Sequence, residues 1–263
     1  MLSPKEKAEY FRTLHIPGQP LVLYNIWDVG SAKAVAAAGA PAIATGSWSV
    51  ANANGYADGE RIPLDLAIDN LARIIQAVSL PVTVDIESGY GETAEAVGQT
   101  IERTITAGAV GCNLEDSFPE NGALREIREQ VERIRHARKA ADRGNASYFI
   151  NARTDVFFQA PGGVHDDATV AYAIERARAY ADAGANGLFA PGLTDETLIA
   201  HLAAASPLPL NIMAADKSPS LNKLAQLGVA RVSHGPGPYL AMIKMLEEGA
   251  REAAGGEPKT IRK

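Results

Sequence analysis

The chain has 263 residues, 46% hydrophobic and 21% charged, with a net charge of −6 and a pI near 5.4. That acidity argues against a nucleic-acid surface. The single cysteine, Cys112, excludes an internal disulfide and a cysteine-built zinc site, and no apolar run approaches the roughly 20 residues that span a membrane. The stretch from Met1 to Lys7 has no apolar core behind it, so it is not read as a signal peptide and a cytoplasmic protein is expected.

Ser3-Pro4 is a cap and first-position pair that predicts a short helix to about Leu14, broken by Pro17-Gly18-Gln19-Pro20. Leu21–Tyr24 reads as strand 1, followed by a loop to Gly30 and a helix over 31–38. Ala42–Thr45 reads as strand 2, running into Gly46-Ser47-Trp48-Ser49 and a polar loop to Arg61. Pro63 opens a helix whose apolar positions (Leu66, Leu71, Ile74, Ile75, Val78) keep helical spacing. Strand 3 is the apolar run Leu80–Val84, which ends on Asp85 and Glu87 and turns through Gly89 and Gly91 into a helix over 93–107. Strand 4 ends at Glu115-Asp116, and a loop through Asn121 leads to a charged helix over 124–143. Tyr148–Ala152 is strand 5, ending in Arg153-Thr154-Asp155. A loop over 159–164 and a helix from Asp166 follow. Strands 6, 7 and 8 are read at 187–190, 208–213 and 231–234, with a last helix from Pro238 to about Ala254 and a tail beyond.

Four times a helix ends in glycine just before a strand, at Gly39, Gly108, Gly184 and Gly228. Glycine at that position ends a helix in the left-handed conformation and turns the chain back. Eight apolar strands without alternating polarity, each followed by a helix, imply a buried parallel sheet. The count fits a single-domain (β/α)8 TIM-type barrel over 21–255, with 1–20 as helix and lead-in and 256–263 as tail. A doubly wound sheet is the alternative, but no glycine-rich nucleotide loop follows strand 1.

Parallel barrels carry their chemistry at the C-terminal strand ends. Asp85 and Glu87 are two apart and so share a face. With Glu115 on the neighbouring strand end they form a carboxylate cluster that a cation would stabilise, and oxygen ligands suit Mg²⁺ or Mn²⁺. Arg153 follows strand 5 and Gly46-Ser47-Trp48 follows strand 2. This layout suits a small anionic substrate, with Arg153 pairing its carboxylate and the Ser47 and Trp48 amides holding another group.

These pieces carry a resemblance. Trp27-Asp28-Val29-Gly30-Ser31-Ala32, Thr45-Gly46-Ser47-Trp48-Ser49, Asp85-Ile86-Glu87-Ser88-Gly89-Tyr90-Gly91, Asn113-Leu114-Glu115-Asp116 and Asn151-Ala152-Arg153-Thr154-Asp155 run in the order found in the isocitrate lyase / phosphoenolpyruvate mutase superfamily, which the chain resembles from about Leu21 to Asp155. The resemblance implies a homo-oligomeric, Mg²⁺-dependent barrel enzyme. It implies a carbon–carbon lyase, or hydrolytic relative, acting on a small 2-oxo or 2-hydroxy carboxylate through a metal-bound enolate. A phosphonopyruvate C–P enzyme and a catalytically silent metabolite-binding barrel are the alternatives. By position it implies Asp85, Glu87 and Glu115 as metal ligands, directly or through water. Asp58 becomes a further active-site acid, Arg153 a carboxylate anchor, and Gly46-Ser47-Trp48 the holder of the pyruvyl-like end. The lyase branches carry a Cys-bearing loop after strand 4; here Ser117–Ala123 has no Cys, Lys or His, and Asn121 is its one plausible polar group.

Plainer readings cover the rest. Asp116 is expected to be structural, Asp28 a helix cap, Cys112 a small core residue, and His234 part of a turn. Lys217 lies too far past its strand for a Schiff base.

Overall fold

The computed structural model describes residues 2–255; the predicted tail over 256–263 lies outside them. The strands are β1 (Leu21–Leu23), β2 (Ile43–Ala44), β3 (Val82–Asp85), β4 (Gly111–Glu115), β5 (Phe149–Arg153), β6 (Gly187–Ala190), β7 (Leu210–Met213) and β8 (Arg231–Ser233). All pairings are parallel, in the order β1-β8-β7-β6-β5-β4-β3-β2. The remaining seam closes just beyond β1 and β2, where Ile26 N–H donates to Ala44 O (2.9 Å) and Gly46 N–H to Ile26 O (3.1 Å). The protein is a (β/α)8 barrel.

The helices are α1 (Pro4–Thr13), α2 (Val29–Ala37), α3 (Ser47–Ala53), α4 (Leu64–Ala77), α5 (Ala94–Ala107), α6 (Ile127–Gly144), α7 (Asp167–Asp182), α8 (Glu196–Ala205), α9 (Leu221–Gln226) and α10 (Gly237–Ala254). Polar side chains start many of them. Ser3 and Glu6 form a reciprocal capping box on α1, and Asp28, Thr93, Asp166, Asp195 and Ser220 each accept a backbone N–H of the helix they open. The four repeated glycines are all left-handed, with φ of 89°, 100°, 104° and 84°. That geometry returns each chain to the barrel.

The main core lies between the strands and the helical ring. A second cluster closes the N-terminal end of the barrel, where α1 lays Ala8 and Phe11 against Leu21, Val110 and Phe149. His15 stacks on Phe149 at 4.0 Å there. The open C-terminal end carries the strand-end residues. No helix among the described residues is long and apolar enough to cross a membrane.

Three local readings differ. Ser47–Ala53, expected as a turn and polar loop, is the helix α3; Asn52 and Asn54 donate to the carbonyls of Trp48 and Val50, four residues back, instead of opening the chain to solvent. Helix α6 starts at Ile127 rather than Leu124, because Arg125 N–H is held by Asp116 O (2.8 Å) outside the helix. The loop after β5 contains 3-10 turns at Asp155–Phe157 and Pro161–Gly163.

Candidate active site

A cavity of about 180 Å³ opens at the C-terminal mouth. Gly46, Ser47, Trp48, Asp58, Asp85 and Arg153 all line it, with Asn113 in its floor. Residues from five segments far apart in sequence thus meet in one place.

Asp85 ends β3. Its N–H donates to Thr45 Oγ1 (2.9 Å), and its Oδ1 accepts the Glu87 N–H (3.1 Å). Its Oδ2 has only a 3.4 Å contact from Asn113 Nδ2. Asp58 stands at the rim, exposed to solvent. Crowding by neighbouring atoms, and then the charge of Asp85, raise its carboxyl above the usual carboxylate range.

Glu87 is buried and plays a second part. Its Oε2 accepts the N–H groups of Gly59 (2.8 Å) and Glu60 (2.6 Å), and its Oε1 accepts the Tyr90 hydroxyl (3.2 Å). Glu60 answers from the other side: its Oε1 accepts Ser88 Oγ–H (2.7 Å) and Tyr90 N–H (2.8 Å). The two glutamates clasp the loop that carries Asp58 to the loop after β3. Glu60, Glu87 and Tyr90 all hold positive φ (58°, 51° and 53°), a conformation non-glycine residues adopt only when their surroundings enforce it. Gly59 cannot be replaced freely, since a Cβ there would sit 2.9 Å from Pro119 O. Burial, and then Asp58, push the Glu87 carboxyl up to about 7.

Glu115 and Arg153 form an ion pair (Oε2 to Nη1, 2.7 Å). Arg153 also grips Asp155 with two bonds, Nε to Oδ1 (2.7 Å) and Nη2 to Oδ2 (3.0 Å). Burial opposes the guanidinium charge, but Glu115 and Asp155 outweigh it and hold Arg153 above its ordinary range. Glu115 is raised because burial exceeds the pull of Arg153. Three of the five Arg153 N–H bonds are thus committed, leaving one on each terminal nitrogen for a ligand.

Among the described residues no three His, Cys, Asp or Glu side chains converge as a ready cage for an ion. Mg²⁺ does not require one, because it keeps several waters and binds through one or two carboxylates plus substrate oxygens. The donors fit that pattern. Asp85 lines the cavity with one weakly engaged oxygen, while Glu87 and Glu115 are already occupied by donors and are not part of the cavity wall.

The remaining candidates fall as follows. Asn121 is exposed, and its Oδ1 accepts Ala123 N–H (2.9 Å), so it stands outside this cavity. Asp116 is fully buried and structural, bonded to Arg176, Tyr180 and the Asp155 N–H. Asp28 caps α2. His234 and Gly235 give their N–H groups to Asn25 Oδ1 (2.8 and 2.9 Å), which makes a plain turn. Lys217 is exposed in the loop after β7. Cys112 is fully buried in β4, and burial pushes its thiol up to about 12. Two residues had no assigned role in the sequence reading. Asp155 holds the Arg153 fork, and its spacing of two from Arg153 was the available signal. Arg231 lies buried beneath the cavity, donating to Asn113 Oδ1 (3.2 Å); nothing in the sequence pointed to it.

The (β/α)8 barrel thus gathers carboxylates, an arginine and the N-terminus of α3 in one cavity at its C-terminal mouth. The chain belongs to the phosphoenolpyruvate phosphomutase family, whose model matches residues 11–254, within the isocitrate lyase / phosphoenolpyruvate mutase superfamily. It is 35% identical over 255 residues to an uncharacterized protein of Mycobacterium tuberculosis, covering 95% of this chain and 92% of that one. It is 32% identical over 216 residues to the 2-methylisocitrate lyase of Escherichia coli K12, covering 75% and 70%. Among solved structures, a presumed phosphonomutase of Burkholderia cenocepacia J2315 superposes with a TM-score of 0.93 at 55% identity, covering 95% of this chain and all of the other. A phosphonopyruvate hydrolase complexed with oxalate and Mg²⁺ shares the fold (TM-score 0.82, 22% identity, 95% and 88% covered).

Proposed function

We propose that the protein is a cytoplasmic Mg²⁺-dependent carbon–carbon bond lyase, or a hydrolytic relative, acting on a small 2-oxo or 2-hydroxy carboxylate through an enolate. The observation that carries this is one cavity lined at once by Asp58, Asp85, Arg153 and Gly46, Ser47 and Trp48 at the start of α3. The E. coli relative is named a lyase, and the hydrolase structure that shares the fold holds oxalate with Mg²⁺.

Asp85 would hold the cation directly, with Glu87 and Glu115 through water. Bound there, Mg²⁺ supplies a Lewis acid for the substrate's keto and carboxylate oxygens. Arg153 offers its two uncommitted N–H bonds to the carboxylate. The first N–H groups of α3, at Ser47 and Trp48, have no acceptor within their own helix and receive an oxygen of the pyruvyl-like end. Asp58, raised by its surroundings and at the rim, takes or returns the proton on the departing fragment. Asn121 would take part only if its loop moved over the mouth. The exposed apolar residues Leu240, Met245 and Leu246 of α10 support the homo-oligomer that the resemblance implies.

Calorimetry with Mg²⁺ and oxalate, a mimic of pyruvate enolate, tests the reading. Oxalate binding that requires Mg²⁺ and is lost in Asp85→Ala is expected. Unchanged Mg²⁺ affinity in that variant overturns the metal assignment. Phosphate release from phosphonopyruvate, with no cleavage of any carbon–carbon substrate, overturns the lyase reading in favour of C–P chemistry.

A further inference from the structure

The cavity is chemically two-sided. Its β2–β5 half carries Gly46, Ser47 and Trp48 at the start of α3, with Asp58, Asp85 and Arg153. Its β6–β8 half is formed by Phe189 and Pro191 at the end of β6, Met213 at the end of β7 and Pro236 after β8, with Phe158 from the turn after β5 closing the gap. Among the described residues Arg153 is the only cationic side chain on the wall, and Asp155 holds its Nε and one Nη2 N–H.

Several polar groups near the apolar half are already used, while His234 Nδ1 and Arg231 Nη1 are buried without a partner, off the wall. Ser233 Oγ–H donates to Asn211 Oδ1 (3.2 Å) and its oxygen accepts from Arg231 Nε (3.3 Å). The Gly235 N–H goes to Asn25 (2.9 Å). Burial keeps the His234 imidazole below its usual value, and its ring packs against Tyr24 at 5.1 Å. Arg231 lies under the floor and is not on the wall. Arg153 stands 5.8 Å from the Phe158 ring and pairs in register with Phe189, so it is against Met213 and Pro236, farther round the wall, that a second carboxylate would lose water and gain no cation. An alkyl or aryl group placed there would leave water for Phe, Met and Pro surface.

We propose that the site selects a substrate with one carboxylate, on the Asp85–Arg153 side, and an uncharged apolar substituent on the Phe189–Met213 side. Phe158, Phe189 and Met213 are the specificity-determining residues. The inference rests on the proposed function, because it takes the carboxylate end to be the metal end.

Malate and 2-hydroxy-4-methylpentanoate test it. They share the 2-hydroxy acid end, and an isopropyl group replaces the second carboxylate with the same number of heavy atoms. Each is titrated against oxalate on the Mg²⁺-loaded full chain. The alkyl acid is expected to displace oxalate at a concentration about tenfold or more below that of malate. Met213→Arg adds a cation to the apolar half and is expected to reverse the order; Phe158→Lys, at a half-exposed position, gives a second route should the first variant fail to fold. Malate binding better than the alkyl acid, neither acid displacing oxalate, or an order unmoved in both variants overturns the inference. Failure of oxalate itself to bind with Mg²⁺ overturns instead the function on which it rests.

Discussion

Asp116→Ala probes how the helical ring supports the site. The Asp116 carboxylate is fully buried and accepts from Arg176 Nη1 (2.9 Å), Tyr180 OH (2.7 Å) and Asp155 N–H (2.9 Å). Arg176 is 1% exposed and makes its ion pair with Asp116. Deleting the carboxylate leaves a buried guanidinium uncompensated, which costs about 3–5 kcal/mol. With an unfolding entropy of about 2.1 cal/mol/K per residue, about 0.55 kcal/mol/K for this chain, a loss of about 4 kcal/mol lowers Tm by about 7 °C. Asp116→Asn keeps an acceptor but removes the charge, and should fall between parent and alanine variant. The substitution reaches the site as well, since Asp116 fixes the Asp155 backbone and Asp155 holds Arg153. Urea denaturation followed by circular dichroism, with scanning calorimetry for Tm, gives the stability; oxalate titration gives the site. An alanine variant within about 1 kcal/mol of the parent would refute the view that Arg176 depends on this carboxylate.

Three further outcomes are expected. Arg153→Lys keeps a charge but cannot bridge Glu115 and Asp155 while presenting two N–H bonds, so oxalate binding should weaken by about 1.5–3 kcal/mol; equal affinity by calorimetry would contradict this. Cys112, buried with its thiol pushed up to about 12, should resist iodoacetamide until the chain is unfolded, and rapid labelling of native protein would show the strand to be open. His15 is held at about 3 by burial and by the nearby Arg231 charge, against an ordinary 6.5. The folded state therefore binds fewer protons than the unfolded one between those values. Its contribution is fully present above about pH 6.5 and is lost as pH falls toward about 3. His15→Gln should flatten that part of the stability–pH curve in urea titrations, and an unchanged acid slope would assign it elsewhere.

The barrel was legible because its strands are buried on both faces and therefore read as plain apolar runs, four of them delivered by a helix that ends in glycine. Asp85 and Arg153 were legible as cavity-lining residues because charged residues at the end of an apolar strand often face the mouth, though Asp116 beside them turns into the helical ring instead. Helix α3 was not legible, because Asn52 and Asn54 make its composition look like a loop while their side chains bond back to their own helix. The clasp between Glu60 and Glu87 was hidden more deeply. It depends on positive φ at three non-glycine residues, which no residue preference announces. The apolar half of the cavity was hidden by closure itself. Phe189 and Met213 are ordinary strand residues until the barrel brings β6 and β7 round to face β3.

The charges at the mouth also set an order of binding. Asp58, Asp85, Glu87, Glu115 and Asp155 act on one another electrostatically, and Arg153 is the one cation among them on the wall. Burial is the main reason that Asp58, Glu87 and Glu115 are all raised, and the neighbouring carboxylates add to it. An anion entering the metal-free cavity would meet this negative field with only two free N–H bonds of Arg153 to receive it. A divalent cation beside Asp85 reverses the local sign and supplies the first attraction for a carboxylate. Mg²⁺ should therefore bind first, and oxalate should show no measurable heat with metal-free protein under conditions where the Mg²⁺ form saturates. Mg²⁺ binding should release protons, since the raised Glu87 carboxyl gives up its share as the cation arrives; the heat should vary with the ionisation enthalpy of the buffer at about pH 7. Oxalate binding of equal strength without metal would show that Arg153 and the α3 amides suffice for the anion, and would remove the electrostatic reason for an ordered site.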